Sequence, residues 1–363
     1  MGLTNQHMIP GRRIINCMTS AGEYLMIFVE YMVGPNGEFS ELRSYNTITG
    51  AWRLHERPNE IKDYCIPPWI CAVGSVVYMF GGESLDHDEE SRLIYSIVSF
   101  DITNSTWKTV YSSPDDSSGD SVDHSNDRSP PSMRLCLLVH HSGSLYLLGR
   151  IVEDEDSNLM YKFCLETSTW SFVAQNGLIP RFKRKIDGTI YKNKLYCFGE
   201  RSRDKNTLRE IPIFDFSTST WTTRAAIAIN LQFPNERSGE SYAFSRNFAY
   251  MSGGSGRGTQ RSRSDIWRMD LETLEWLKLD CCLKTGNSHH LMSVVEDTYL
   301  CSFGGNGRSQ GFFDAPERFT IRPPSLYRLC LEFICRSPNI RSYIRSLPAD
   351  VVEKLNIDDN NSS

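Results

Sequence analysis

Short apolar runs end on a glycine, or on a residue standing where one would be, and they recur along the first three hundred residues. They read LMIFV to Val29, VYMFG to Gly81, LYLLG to Gly149, LYCFG to Gly199, AYMSG to Gly253 and LCSFG to Gly304. The steps between these ends are 52, 68, 50, 54 and 51 residues. A tryptophan follows each of the first five ends by 21 to 26 residues, at Trp52, Trp107, Trp170, Trp221 and Trp276. The text around them, such as SFDITNSTWKT and RMDLETLEWLK, places two strand-like segments about a turn rich in Asp, Asn, Ser and Thr. That pattern predicts a hairpin. Two landmarks in constant register, repeating every ~50 residues with four strands per unit, predict the blades of a β-propeller. Six strand ends predict an all-β fold of six blades over residues 12–322. The sixth carries Gly304, Gly305 and the strand ERFTIR but no closing tryptophan. An open blade edge has to be covered. Either residues Gln6 to Pro10 supply an outer strand or the C-terminal segment covers it.

The period changes after Pro324. Leu326, Leu329, Cys330, Phe333 and Ile334 fall at helical spacing, so one face of a short helix is apolar. Ser337 and Pro338 stop it. A second helix would carry Ile340, Tyr343, Ile344 and Leu347, and a third, opening at Pro348, would carry Val351, Val352 and Leu355. Residues 323–357 thus form a helical appendage, and 358–363 a disordered polar tail. Three helices this small cannot bury three apolar stripes among themselves. They need the propeller or another protein.

Composition narrows the reading without changing it. The 363 residues carry a net charge of −5, which gives no general electrostatic attraction to nucleic acid. The eleven cysteines are scattered without a C-x-x-C pair, as free thiols of a reducing compartment are. No apolar signal core opens the chain and no run is long enough to span a bilayer. The expectation is a cytoplasmic protein with the nucleus open to it, no membrane, no metal and no cofactor. The long step between the second and third strand ends is filled by residues 112–131, polar and acidic, predicted to be disordered. Asp86 to Glu90 and Glu153 to Asp156 make further acidic loops, whereas Arg181, Lys183, Arg184 and Lys185 open the fourth blade.

Counting back 15 or 16 residues from each strand end reaches the start of the innermost strand, at one mouth of the channel. The positions are Arg13, Arg134, Arg184 and Arg237, with Ser288 and His289 in the sixth blade. Converging guanidiniums suit a carboxylate, which Arg binds in a bidentate manner. The alternative is that each arginine bonds neighbouring loops. Catalysis has little support: His289-His290 stands alone, no nucleophile elbow is present, and GGSGRGTQ lacks the lysine of a phosphate loop. The expectation is a protein that is not an enzyme.

The glycine ends and spaced tryptophans resemble the kelch repeat. The stretch Ser325-Leu326-x-x-x-Cys330-x-x-x-Ile334 resembles the box by which substrate receptors bind elongin C. Leu347-Pro348-x-x-Val351-x-x-x-Leu355 resembles the cullin-2 box that follows it. FPNERSGES, DIWRMDLETLEWLKL and PSLYRLCLEF are similar to kelch-repeat substrate receptors of cullin-2 ubiquitin ligases. The resemblance implies a non-catalytic subunit that docks elongin B/C and cullin-2 through the tail. It implies that the propeller recognises substrate C-termini, with Arg237 and Ser241 the best-matched carboxylate ligands and Arg184, Arg134, Arg13 and His289 around them. The competing readings are a kelch scaffold that binds actin or a signalling partner, its tail a structural cap, and a propeller oxidase.

Overall fold

The computed structural model describes residues 12–32, 38–58, 61, 69–81, 83–85, 91–93, 96–112, 129–131, 133–151, 158–201, 207–229, 232–256, 261–305, 315–337 and 346–355. The loop predicted to be disordered, the two further acidic loops, Gln6 to Pro10, Ile340, Tyr343, Ile344 and the last residues lie outside that set, apart from a few at its edges.

Six sheets, antiparallel except for a short parallel edge strand in blades four and five, form a six-bladed propeller. Their innermost strands are Arg12–Ala21, Trp69–Val73, Met133–His141, Asp187–Tyr191, Ser238–Phe244 and Leu291–Val295, each packed on the next, with the sixth returning to the first. The second strands, among them Tyr24–Met32, Phe248–Ser255 and Tyr299–Phe303, carry the apolar runs read from the sequence. They are buried on both faces, so they read as nearly continuous hydrophobic stretches. The core is divided into wedges between successive blades. One wedge joins Tyr196, Phe198 and Ile213 of blade four to Tyr242, Met251, Trp267 and Trp276 of blade five.

The tryptophans sew the wedges together. Trp276 donates its indole N–H to the Leu208 carbonyl at 2.9 Å, from blade five to blade four, and Trp221 donates to Gln175 Oε1 at 2.8 Å. Trp52 of blade one lies 5.3 Å from Phe303 of blade six, so an aromatic contact spans the point of ring closure. Ser20 Oγ, donating to the Val294 carbonyl at 2.7 Å, ties the same two blades.

Blade six has three strands among the described residues: Leu291–Val295, Tyr299–Phe303 and Glu317–Thr320. Helix α1 (Leu326–Arg336) follows, and α2 (Ala349–Leu355) opens after Pro348, as the helical spacing predicts. Ser325 caps α1 by accepting the Arg328 N–H at 3.1 Å, and the backbone N–H of Ser337 closes it onto the Ile334 carbonyl. Arg336 in the last turn complements the helix dipole. Together the two helices sit on the seam between blades six and one: Leu331, Val351 and Leu355 bury against Ile48, in the turn that follows the third strand of blade one.

Candidate functional site

Two places gather the residues that the sequence singles out. The first is the mouth where the innermost strands begin. Blade five supplies Arg237 just before its inner strand, and the backbone there is shaped by glycine. Gly253 holds φ at +71°, and a Cβ at this position would lie 2.3 Å from His290 Cε1, so no other residue fits.

Arg237 is not an open ligand. Its side chain is 0% exposed and its guanidinium is fully engaged. Nη1 and Nη2 donate to the two carboxylate oxygens of Asp265 at 2.7 and 2.9 Å. Nη1 also donates to the Gly253 carbonyl and Nε to that of Asn235. The Trp267 indole donates to the same carboxylate at 2.6 Å. Burial alone would raise the pKa of Asp265, but the bonds from Arg237 and Trp267 outweigh it and hold the carboxyl below its ordinary range. This is an internal brace of blade five, the alternative that the sequence left open, and it corrects the expectation that Arg237 faces a ligand. Ser241 is likewise buried, 2% exposed within the inner strand.

Blade four places its cations beside carboxylates of its own. Arg184 Nε lies 3.0 Å from Glu200, Lys183 3.6 Å from Glu200, and Lys185 2.9 Å from Asp187. Arg184 is still more than half exposed. His289 is exposed at the start of blade six, with φ at +57° and its N–H on the Gly239 carbonyl. Arg13 and Arg134 lie in inner strands of blades one and three, but their side chains are outside the described set. The structure therefore brings Arg184, Arg237, Ser241 and His289 to one side of the mouth, without making them an array of open cations.

Two groups there were not singled out as binding residues by sequence reasoning, which set His290 aside with its neighbour as a lone pair. Glu240 is half-buried; burial, reinforced by the charges of Asp187 and Glu200, pushes it up to about 7 against the pull of Arg237. His290 is buried, neither of its ring nitrogens has a partner among the described residues, and burial with the nearby Lys185 charge lowers it to about 4. No sequence signal distinguishes Glu240 from a surface glutamate. Asp265 could have been found: it stands two residues before Trp267, on the strand that pairs with Phe248–Ser255.

The second place is α1, whose orientation is the reverse of an ordinary surface helix. Its charged side faces inward. Arg328 donates to Glu296 of blade six at 2.7 Å, to Thr47 Oγ1 of blade one at 2.8 Å and to Glu332 on its own helix at 3.0 Å. Arg318 of blade six reaches both Glu332 and the Thr47 carbonyl at 3.1 Å. Both guanidiniums stack over the Tyr299 ring, at 5.0 and 4.5 Å from its centroid. Burial opposes ionisation of Glu332, but the bond from Arg328 and the Arg318 charge hold its pKa below the ordinary range.

The apolar side of α1 faces out. Leu326 is 77% and Phe333 78% exposed, Tyr327, Leu329 and Cys330 are exposed too, and Ser325 stands at the helix start as its cap. Cys330 and Phe333 border a shallow hollow with Leu329 and Ile334. Ile334 is half-buried, its other side packed on the tail cluster. The residues that resemble a cullin box divide. Pro348 is exposed and Leu347 half-buried, while Val351 and Leu355 are buried against Ile48 and Leu331. That corrects the expectation for Val351 and Leu355: their apolar side is used within the tail.

Among the described residues no group of three or more His, Cys, Asp or Glu is placed to hold a metal, and no helix is long and apolar enough to cross a membrane.

The family model of the KLHDC2/KLHL20/DRC7 Kelch-repeats domain matches residues 69–305. Kelch domain-containing protein 10 of Xenopus tropicalis is 22% identical over 347 residues, covering 89% of this chain and 79% of that protein. The human protein of that name is 25% identical over 329 residues, covering 86% and 70%. Acyl-CoA-binding domain-containing protein 4 of Arabidopsis thaliana is 23% identical over 272 residues; the match covers 73% of this chain but only 38% of the plant protein.

Proposed function

Because the chain belongs to the kelch-repeat family, whose propellers are in general non-catalytic protein-interaction domains, we propose that it is the substrate receptor of a cullin-2–elongin B/C ubiquitin ligase. The observation that carries this reading is the reversed helix α1. A helix that only capped the propeller would bury Leu326, Leu329 and Phe333 and leave Arg328 and Glu332 in water. Here the polar side is spent on the anchor, and the apolar side is left for a partner. A contiguous exposed apolar patch on an otherwise polar surface marks an interaction site. In this reading Leu326 and Cys330 enter elongin C, Phe333 and Ile334 extend the contact, and Leu347 with Pro348 meets cullin-2. Val351 and Leu355 hold that edge in place from below. The propeller mouth receives a substrate C-terminus, its carboxylate meeting the exposed Arg184 and His289 while Arg237 braces the wall.

The decisive experiment is capture of purified elongin B/C by the full chain, with the wild type compared to Leu326→Ala plus Cys330→Ala. Both positions are exposed, so the double variant should fold normally and lose the complex. No capture by the wild type, or equal capture by both, would defeat the receptor reading. For the mouth, substrate-like peptides with free and amidated termini should differ in affinity, and Arg184→Gln should remove the difference. Equal binding of the two peptides excludes carboxylate recognition.

A further inference from the structure

Blades one, two and three each carry a one-residue register shift, but the slip in blade five is larger than any of these among the described residues. The outer strand of blade five, Glu275–Asn287, is 13 residues long and out of step with its neighbour Arg263–Asp270. Trp267 pairs with Lys278, Asp265 with Cys282 and Arg263 with Asn287. The inner of the two strands advances two residues at a time while the outer advances four and then five. Excess residues on one strand bend it away from its partner. The gap becomes a cleft on the flank of blade five, at the mouth end of the propeller, lined by Arg261, Arg263 and Lys278 over Trp267. A second cleft shares Asn235, Trp267 and Lys278 with the first and adds Arg209, which stacks over Phe233 at 4.5 Å.

The charge inside this pair of clefts is unbalanced. Among the cleft cations Arg263 feels the charge of Asp265, but the hydrogen bonds that this carboxylate accepts come from Arg237 and Trp267. Arg263 Nε is buried with no partner among the described residues. Glu236 is the remaining carboxylate on the lining, against four cations. Blade four behaves otherwise: there Lys183, Arg184 and Lys185 each face a carboxylate. A buried guanidinium nitrogen without an acceptor is costly, and an anion supplied from outside removes the cost.

We propose that the flank of blade five is a second recognition surface, a basic cleft that takes an acidic peptide segment. Carboxylates of the segment pair with Arg261, Arg263 and Lys278, and its backbone lies along the widened strand pair. A nucleic acid fits less well, because Trp267 is buried to 5% exposure and offers no open face for base stacking. The surface lies on blade five with Arg209 of blade four at its rim and includes no residue of the tail, so a failure of the tail to bind elongin leaves it standing.

The test is fluorescence anisotropy of a labelled peptide of alternating Asp and Glu, against the same peptide with Asn and Gln. The acidic peptide should bind saturably and weaken with salt, and Arg261→Gln plus Lys278→Gln should lower its affinity roughly tenfold or more. Both substituted side chains are exposed, so thermal unfolding of the double variant should match the wild type, and Lys108→Gln on blade two should bind as the wild type does. Equal affinity for the two peptides overturns the proposal. So does unchanged binding by the double variant, or tighter binding of a single-stranded RNA of matched charge.

Discussion

Arg237 in blade five and Arg328 in the tail are both buried and both bonded to carboxylates, yet they do different work. Arg237 is satisfied entirely within its own blade, by Asp265, Asn235 and Gly253. It stiffens one sheet and exposes nothing. Arg328 ties its helix to two segments distant in the chain, Thr47 in blade one and Glu296 in blade six, and also bonds Glu332 one turn along α1. To do so it turns the charged side of its helix toward the propeller, and the apolar side has to face away. One buried arginine removes a candidate ligand from the surface, and the other puts a candidate interface on it.

The largest effect expected from this contrast is in Arg237→Ala. It leaves Asp265 half-buried and without its counter-ion, which should cost about 3 to 5 kcal/mol of global stability in urea unfolding. A loss below ~1 kcal/mol would mean that Arg237 is no brace. Arg328→Ala should cost about 2 to 4 kcal/mol by the same reasoning, but locally. Hydrogen exchange should accelerate in α1 and α2 while the blade amides stay protected; uniform acceleration would mean that the tail is part of the propeller's cooperative unit.

Glu240 gives a smaller effect with a definite sign. Its folded pKa of about 7 lies above the unfolded value, so its proton contributes stability at low pH that is lost as pH rises through about 7. Glu240→Gln should therefore unfold at higher denaturant than the wild type at pH 8, by about 1 to 2 kcal/mol, given that the group is half-solvated. The two should converge below about pH 4.5, the ordinary value of the carboxyl. A constant difference across that range would remove the pH linkage. Smallest of all, Leu326→Ala plus Phe333→Ala should change stability by less than about 0.5 kcal/mol, because side chains this exposed lose no burial. A loss near 2 kcal/mol would mean that the apolar face of α1 is covered in the free protein.

Much of the propeller was legible beforehand because its blades are the same local solution repeated. The apolar second strands, the turn chemistry and the tryptophans at Trp52, Trp221 and Trp276 report burial in a wedge that every blade rebuilds. Helix α1 and the opening of α2 after Pro348 were readable from spacing and capping for the same local reason. Residues of the mouth were less legible. Counting along the repeat located Arg184, Arg237 and His289 on adjoining blades but could not tell a brace from a ligand. That distinction depends on a carboxylate 28 residues away in the chain, at Asp265.

Sequence alone determined the number of blades, the strands that carry the core and the amphipathic character of the tail, since each depends on neighbours within one repeat or one helix. Tertiary structure decided which way those features point. An apolar stripe on α1 is compatible with facing in or out; the ion-pair cluster of Arg328, Glu332, Glu296 and Arg318, assembled from blade six and the tail, selects outward. The same stripe on α2 turns inward, because Val351 and Leu355 find Ile48 and Leu331 beneath them. A helix has only one pattern along its length, but burial is a property of what lies opposite, and that is set by contacts between segments as far apart as Thr47 and Arg328.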